Sequence, residues 1–310
     1  MIKAFNSIKN LFRPLKSEAA NLALTPRKYK VSRPVELGRF WVNDDPFATA
    51  FFNSLSVSFP HAEIFMIDSI KAWREHLSPE LQKDVKIFIE QELNHSREHV
   101  AFNRGMANAG YEIATLEKDV VRLLKEINLK DDLFRLRATM CMEHLTAVIS
   151  SEILSNPKHL EGAEAELKKM WIWHGTEEVE HKGVAYNVWS EVTKDWSGLR
   201  KYLSRSLFFI GLSYKFMRNR TLTQIYLLEQ DGYSRRDALF GMIRYMFGKG
   251  GLIRNAIGPW AQFFKPNFHP WQIDDRHLIA AGESEFMLDV HPKTDEKSKK
   301  TAPPKLSKAA

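Results

Sequence analysis

Apolar residues recur along this chain at three- and four-residue intervals over long stretches, with no convincing alternating run or hairpin signal between them. That pattern predicts an all-α bundle of long helices joined by short turns. In "NDDPF", Asp45 supplies a cap and Pro46 the first helical residue. The helix should run towards His76, with Pro60 expected to kink or restart it. "LSPE" repeats the start signal at Ser78 and Pro79 and opens a long helix that Gly110 can end. A shorter helix is expected over 115–127, another from "LKDD" to just before Asn156 and Pro157, and a fourth long one over roughly 160–194. Residues 199–265 also read as helical, but more broken by glycine.

Composition narrows the picture. The one cysteine, Cys141, excludes a disulfide framework or a thiolate metal cage within the chain and suits a reducing compartment. The N-terminus lacks the continuous apolar core of an export signal, and the longest strictly apolar run, "LFFIGL", is too short to span a bilayer. A cytoplasmic location is expected.

The net charge of +7 is unevenly spread. Residues 1–39 carry nine basic and two acidic side chains, 40–198 carry seventeen and twenty-six, 199–270 carry twelve and three, and 271–310 carry seven of each. Four parts are expected: a basic N-terminal arm (1–39, with a short amphipathic helix from Ile2, Phe5, Ile8 and Phe12), a helical bundle (40–198), a basic amphipathic extension (199–275) and a polar, largely disordered tail (276–310). The extension interleaves Arg and Lys with large apolar residues, as in "LRKYLSRSLFFIGLSYKFMRNR". An anionic membrane surface is therefore an expected partner, peripheral on the inner face. Binding to anionic vesicles at physiological salt is the outcome to look for, and its absence removes this reading. Nucleic acid is not expected, because no binding motif is present and the acidic middle repels phosphate. A homo-oligomer is left open.

The chemistry is concentrated in "WHGTEEVEHKG", Trp173 to Gly183. At about 100° per residue, His174, Glu178 and His181 fall on one narrow stripe, with Glu177 and Glu180 pointing away from it. The helix from Pro79 carries Glu92-x-x-His95, with His99 one turn further on the same face. Two Glu-x-x-His pairs are half of a dimetal carboxylate site, which also needs one inward Glu from each of two other helices. Glu63 in "FPHAEIF" and Glu143 in "CMEHLTA" are those candidates. The expected ligands are thus Glu63, Glu92, His95, Glu143, His174, Glu178 and His181. Glu92 and Glu178 would bridge, and His174 would join the ion of His181. His99 and His144 are expected as outer partners, His99 through a buried carboxylate. Trp171, Trp173, Tyr186 and Trp189 are assigned to core packing. Carboxylate and imidazole donors suit two iron ions, or manganese or a mixed pair, and disfavour structural zinc. The order of these residues matches a ferritin-like four-helix bundle with additional C-terminal helices.

The blocks "SLSVSFPHAEIFMI", "EQELNHSREHVAFN", "MEHLTA", "WHGTEEVEHKGVAYNVW" and "KPNFHPW" resemble the signature blocks of a bacterial family labelled predicted metal-dependent hydrolases. The likeness runs from about residue 30 to 275, and despite its label that family groups with ferritin-like proteins. The run His174-x-x-x-Glu178-x-x-His181 is also similar in spacing to di-iron arylamine N-oxygenases, in which the first histidine is an additional ligand; that carries over the site and not the substrate. The expected function is a non-haem di-iron oxygenase using O2 to hydroxylate, N-oxygenate or desaturate a hydrophobic substrate, with lipid or acyl chains included. Its electrons would come from an external donor, a ferredoxin or reductase, since no flavin or nicotinamide fingerprint is present. The alternative is a dimetal-dependent hydrolase of an ester-type substrate. A ferritin-like metal store or ferroxidase ranks third.

Overall fold

Asp45 caps the first long helix as its position predicts, accepting from the backbone N–H of Phe47 and Ala48, and α1 (Pro46–Lys71) follows. The computed structural model describes residues 24, 25, 27 and 37–290, with side chains to 285. The amphipathic helix expected near the N-terminus and the tail from Lys293 lie outside these residues. The remaining helices are α2 (Pro79–Asn108), α3 (Ala114–Asn128), α4 (Asp132–Ser155), α5 (Ala165–His181), α6 (Val184–Val192), α7 (Gly198–Gln230), α8 (Arg235–Phe247), α9 (Leu252–Gln262) and α10 (Arg276–Val290). No strand occurs among the described residues, and the fold is an all-α bundle. Helix α1 packs along α2 and α4 along α5; α7 lies against α1 and α4, and α10 covers α5.

Pro60 does not restart α1, which passes through it without a break. A proline removes one helical hydrogen bond and frees the carbonyl four residues earlier. Here that carbonyl belongs to Ser56, and it accepts from Asn103 Nδ2 at 3.2 Å. The proline therefore ties α1 to α2 at one chosen point.

The expected helix over 160–194 is divided. α5 ends at His181, and Lys182 and Gly183 separate it from α6. A Cβ on Gly183 would lie 2.4 Å from the indole nitrogen of Trp271, so the break is the place where the "HPW" turn packs. Lys182 fastens it, donating to the Ile273 carbonyl at 2.8 Å and to Asp275 at 2.7 Å.

The tail expected from residue 276 begins instead as α10. Leu278 and Ile279 are buried, and the chain passes so close to α5 that a Cβ on Gly282 would meet Thr176 Oγ1. The polar composition of the segment concealed this short buried face.

Two apolar clusters fill the bundle, one around Trp41, Phe52, Phe102 and Trp171 and the other around Phe88, Leu136, Trp189 and Phe209. The polar stripes of α2 and α5 run between them. No helix of the described residues is long and apolar enough to cross a membrane. Leu199, Leu203, Leu207, Ile210 and Tyr214 of α7 are exposed.

Candidate metal centre

All seven expected ligands are buried, and they converge from α1, α2, α4 and α5. Glu178 stands at the middle: its Oε1 lies 3.5 Å from His95 Nδ1, 3.3 Å from His174 Nε2 and 3.6 Å from His181 Nδ1. Glu92, His95, Glu178 and His181 offer four ligand atoms within 4.8 Å of one another. Glu63, His95 and His174 form a second such group. Glu143 Oε2 is 3.9 Å from His181 Nδ1, at the other end.

This arrangement reverses one expectation. His174 groups with His95 and Glu63, not with His181, and its ring stacks on His95 at 4.2 Å and 12°. Seven residues of α5 separate His174 from His181, about 10 Å along the axis. They share a face of the helix at different heights, and His95 belongs to both groups.

The histidine orientations are set from behind. His95 Nε2 lies 2.8 Å from Glu177 Oε2, a carboxylate that accepts its proton and leaves Nδ1 for the centre. His181 Nε2 likewise donates to Gln91 Oε1 at 3.1 Å. Each partner immediately precedes the glutamate of a Glu-x-x-His pair and holds the histidine of the other pair, so the two helices cross-brace. Arg27 closes the network: its backbone N–H donates to Glu177 at 3.1 Å and its guanidinium donates to Glu180 at 2.7 and 3.0 Å. Glu177 and Glu180 do point away from the ligand stripe, yet both are buried.

His174 is oriented by a longer relay that starts at the proline. Asn103 gives its amide N–H to the Ser56 carbonyl, which turns its Oδ1 towards Ser56 Oγ at 2.7 Å. The serine hydroxyl donates there and so accepts from His99 Nδ1 at 2.8 Å. His99 Nε2 is then a bare lone pair, and His174 Nδ1 donates to it at 2.7 Å. The result leaves a lone pair on His174 Nε2, facing Glu178. His99 therefore acts through an imidazole rather than the expected carboxylate. Burial pushes both rings down, His99 well below its ordinary value beside His174, and His174 to about 4 beside His95. Both stay neutral, as the relay requires.

His144 is not brought to the centre. It packs among Phe209, Phe263 and Phe268, and burial lowers it to about 3. Trp173 sets its ring edge-on against His95 at 4.8 Å. Trp171 sits in the apolar cluster beside His99.

Whether the donors fit metal ions is tested by what the protein leaves without a partner. Both carboxylate oxygens of Glu63, Glu92 and Glu143 are buried without a hydrogen bond, as are His95 Nδ1 and His181 Nδ1. His181 Nδ1 approaches Glu92 Oε1 to 2.8 Å, but neither atom has a hydrogen-bond partner. Stranding so many acceptors costs several kcal/mol unless cations meet them. Burial, and then the neighbouring carboxylates, push Glu63 and Glu143 well above the ordinary range. Burial opposes a proton on His95, but its hydrogen bond to Glu177 and the nearby Glu178 carboxylate outweigh it and raise that ring to about 9. A cluster that holds protons in this way is one that divalent cations can replace them in, and the residues fit a metal pair.

Replacing Glu177 by Gln should keep the fold and weaken metal binding by roughly 10–100-fold, the usual cost of losing an outer carboxylate. Competition against a chelator measures it; unchanged affinity would show that Glu177 is only a packing residue.

The profile of a family described as "Predicted metal-dependent hydrolase" matches residues 25–274. No curated protein and no solved structure matches the chain.

Proposed function

The chain belongs to the predicted metal-dependent hydrolase family, and from that premise we propose that it is a dinuclear metal enzyme, related to the ferritin-like proteins, that uses O2 to oxidise a hydrophobic substrate. Two iron ions are the proposed metals, with an external protein as electron donor. One end of the centre comprises Glu63, His95 and His174, the other Glu143 and His181, with Glu92 and Glu178 between them.

The observation that carries this reading is the charge of the donor set within an enclosed site. Glu63, Glu92, Glu143 and Glu178 are all buried, and their four negative charges neutralise two divalent ions. Such a set weakens the ions as Lewis acids and favours a higher oxidation state. When bound, an iron pair supplies the electrons that reduce O2. The chain's own residues do the rest. Glu177, Gln91 and the Ser56–His99 relay hold three imidazoles with their lone pairs inward. Phe59, Phe88 and Trp173 pack their rings against His174, His181 and His95 and exclude water.

Hydrolysis is the second reading, and the family's description fits it better than oxidation. Under it the metal pair would activate water. Anaerobic loading with Fe(II) separates the two. Oxidation predicts two irons per chain, prompt O2 uptake and a magnetically coupled ferric pair by Mössbauer spectroscopy. Ester cleavage of equal rate without O2, with a redox-inert ion, would replace oxidation by hydrolysis.

A further inference from the structure

Helices α1, α3, α4 and α7 line a half-open cavity of about 400 Å³. Its two ends differ in chemistry. Met66, Ile127, Phe134 and Phe208 line one end, where Phe134 and Phe208 meet edge to face at 4.9 Å. Ser58, Thr146, Lys215, Asn219 and Arg220 line the other. The Arg220 guanidinium donates to the Ser54 carbonyl, which places this part of α7 beside the start of the Ser58 turn. From Phe208 to Arg220 the α7 wall runs twelve residues, about 18 Å.

Arg220 is the unusual member. Its side chain is buried, yet no carboxylate pairs with it among the described residues, and Ser54 supplies the one acceptor. Burial alone lowers its pKa to about 10, with no anion opposing the effect. Buried charges are ordinarily paired, and a guanidinium has five N–H groups to satisfy. Lys215 adds a second, exposed cation at the same end. An apolar slot with an unmatched buried cation at one end is complementary to a chain with one anionic head.

We propose that this cavity binds a long-chain fatty carboxylate, its head between Arg220 and Lys215 and its chain beside the α1 and α4 turns that carry Glu63 and Glu143. Ala62 and Met66 flank Glu63, and Met142 adjoins Glu143, so the cavity wall is the outer side of the centre. Phe59 and Thr146 also line a small neighbouring cavity that reaches His174. They form the partition between ligand and centre. That this ligand is also the substrate rests on the oxidative reading; that it binds does not.

Calorimetric titration of the full-length chain, metal-free and Fe(II)-loaded under nitrogen, tests the proposal with palmitate, methyl palmitate and palmitoyl lysophosphatidate. Palmitate should bind at least ten-fold more tightly than its methyl ester. Arg220→Gln should remove that preference while leaving the ester's affinity unchanged. Gly211 lines the cavity, and a Cβ built on it meets nothing within 4 Å. Gly211→Phe should therefore fill the slot without disturbing the helix, keep the wild-type metal content and lose all three ligands. Equal affinity for palmitate and its ester overturns the anionic head, and tighter lysophosphatidate binding overturns the carboxylate. Undiminished palmitate binding by a folded Gly211→Phe chain overturns the cavity itself. A chain that binds palmitate but takes up no O2 when loaded with iron would sink the oxidative reading and leave this one standing.

Discussion

Glu178→Gln protein should fold, pack its helices as before and fail to retain two metal ions. Glu178 Oε1 lies within 3.3–3.6 Å of one nitrogen from each of His95, His174 and His181. Burial opposes its ionisation, but the adjacent imidazoles of His174, His181 and His95 outweigh it and hold its carboxyl well below the usual range. It is the one carboxylate in the cluster with a firm negative charge before metal arrives. Gln preserves the shape and removes that charge, which makes it a cleaner test than Ala, whose cavity adds its own cost. Losing an outer hydrogen-bonding partner costs roughly 10–100-fold in metal affinity, and losing the central oxygen should exceed that. Metal content per chain after dialysis should drop from two to one or none, with O2 uptake lost alongside. Full retention of both ions would end the assignment of Glu178 as the bridge.

Metal removal should produce the second large effect, a stability that falls as pH rises from about 6.5 to 9. In the metal-free protein Glu63, Glu92 and Glu143 are raised, first by burial, whereas the unfolded chain releases those protons near 4.5. Above 4.5 the folded state therefore holds more protons, and raising the pH favours unfolding. His95, raised to about 9, and His181, raised well above 6.5 by Glu178 and Glu92 against burial, act in the same direction. Their contribution is complete below about 6.5 and disappears as the pH climbs through the folded values. His99 and His174 are lowered and oppose the trend, but only below about 6.5, where the unfolded rings take up protons. Each retained proton is worth about 1.4 kcal/mol per pH unit, so two give about 3 kcal/mol per unit, a large part of a typical domain's stability. Bound cations take the place of those protons, and metal affinity should rise with pH over the same range. Urea denaturation of metal-free and loaded protein at several pH values measures both. A metal-free stability that is flat or rising from pH 6.5 to 9 would mean the carboxylates are ionised without metal.

The residues that sequence reading overlooked show where local pattern stops being informative. Glu177 lies about 100° from Glu178 on the helix, so it reads as pointing away from the ligands. It does, but α5 is buried on every side from Met170 to His181, and what Glu177 meets is Arg27 and the back of His95. Gln91 was open to the same reading, since a carboxamide directly before Glu92 mirrors Glu177 directly before Glu178. Arg27 carried no local signal at all. Its partners, Glu177, Glu180 and Glu283, are 150 or more residues away, and only the folded chain brings them together. Pro60 was legible as a break in hydrogen bonding. That the freed Ser56 carbonyl would orient Asn103, and through it His99 and His174, depended on α2 passing at that height.

By itself the sequence determined the helical class, the helix starts at Asp45 and Ser78, and the inward stripe of His174, Glu178 and His181. These follow from the 3.6-residue period and from capping chemistry, which act over a few neighbouring residues. Only the tertiary structure decided that His174 sits with His95 rather than His181, that residues 276–290 cover α5, and that Arg220 is a buried cation facing an apolar slot. Each depends on how far one helix is shifted along another. Packing of distant segments sets that offset, and no local periodicity encodes it.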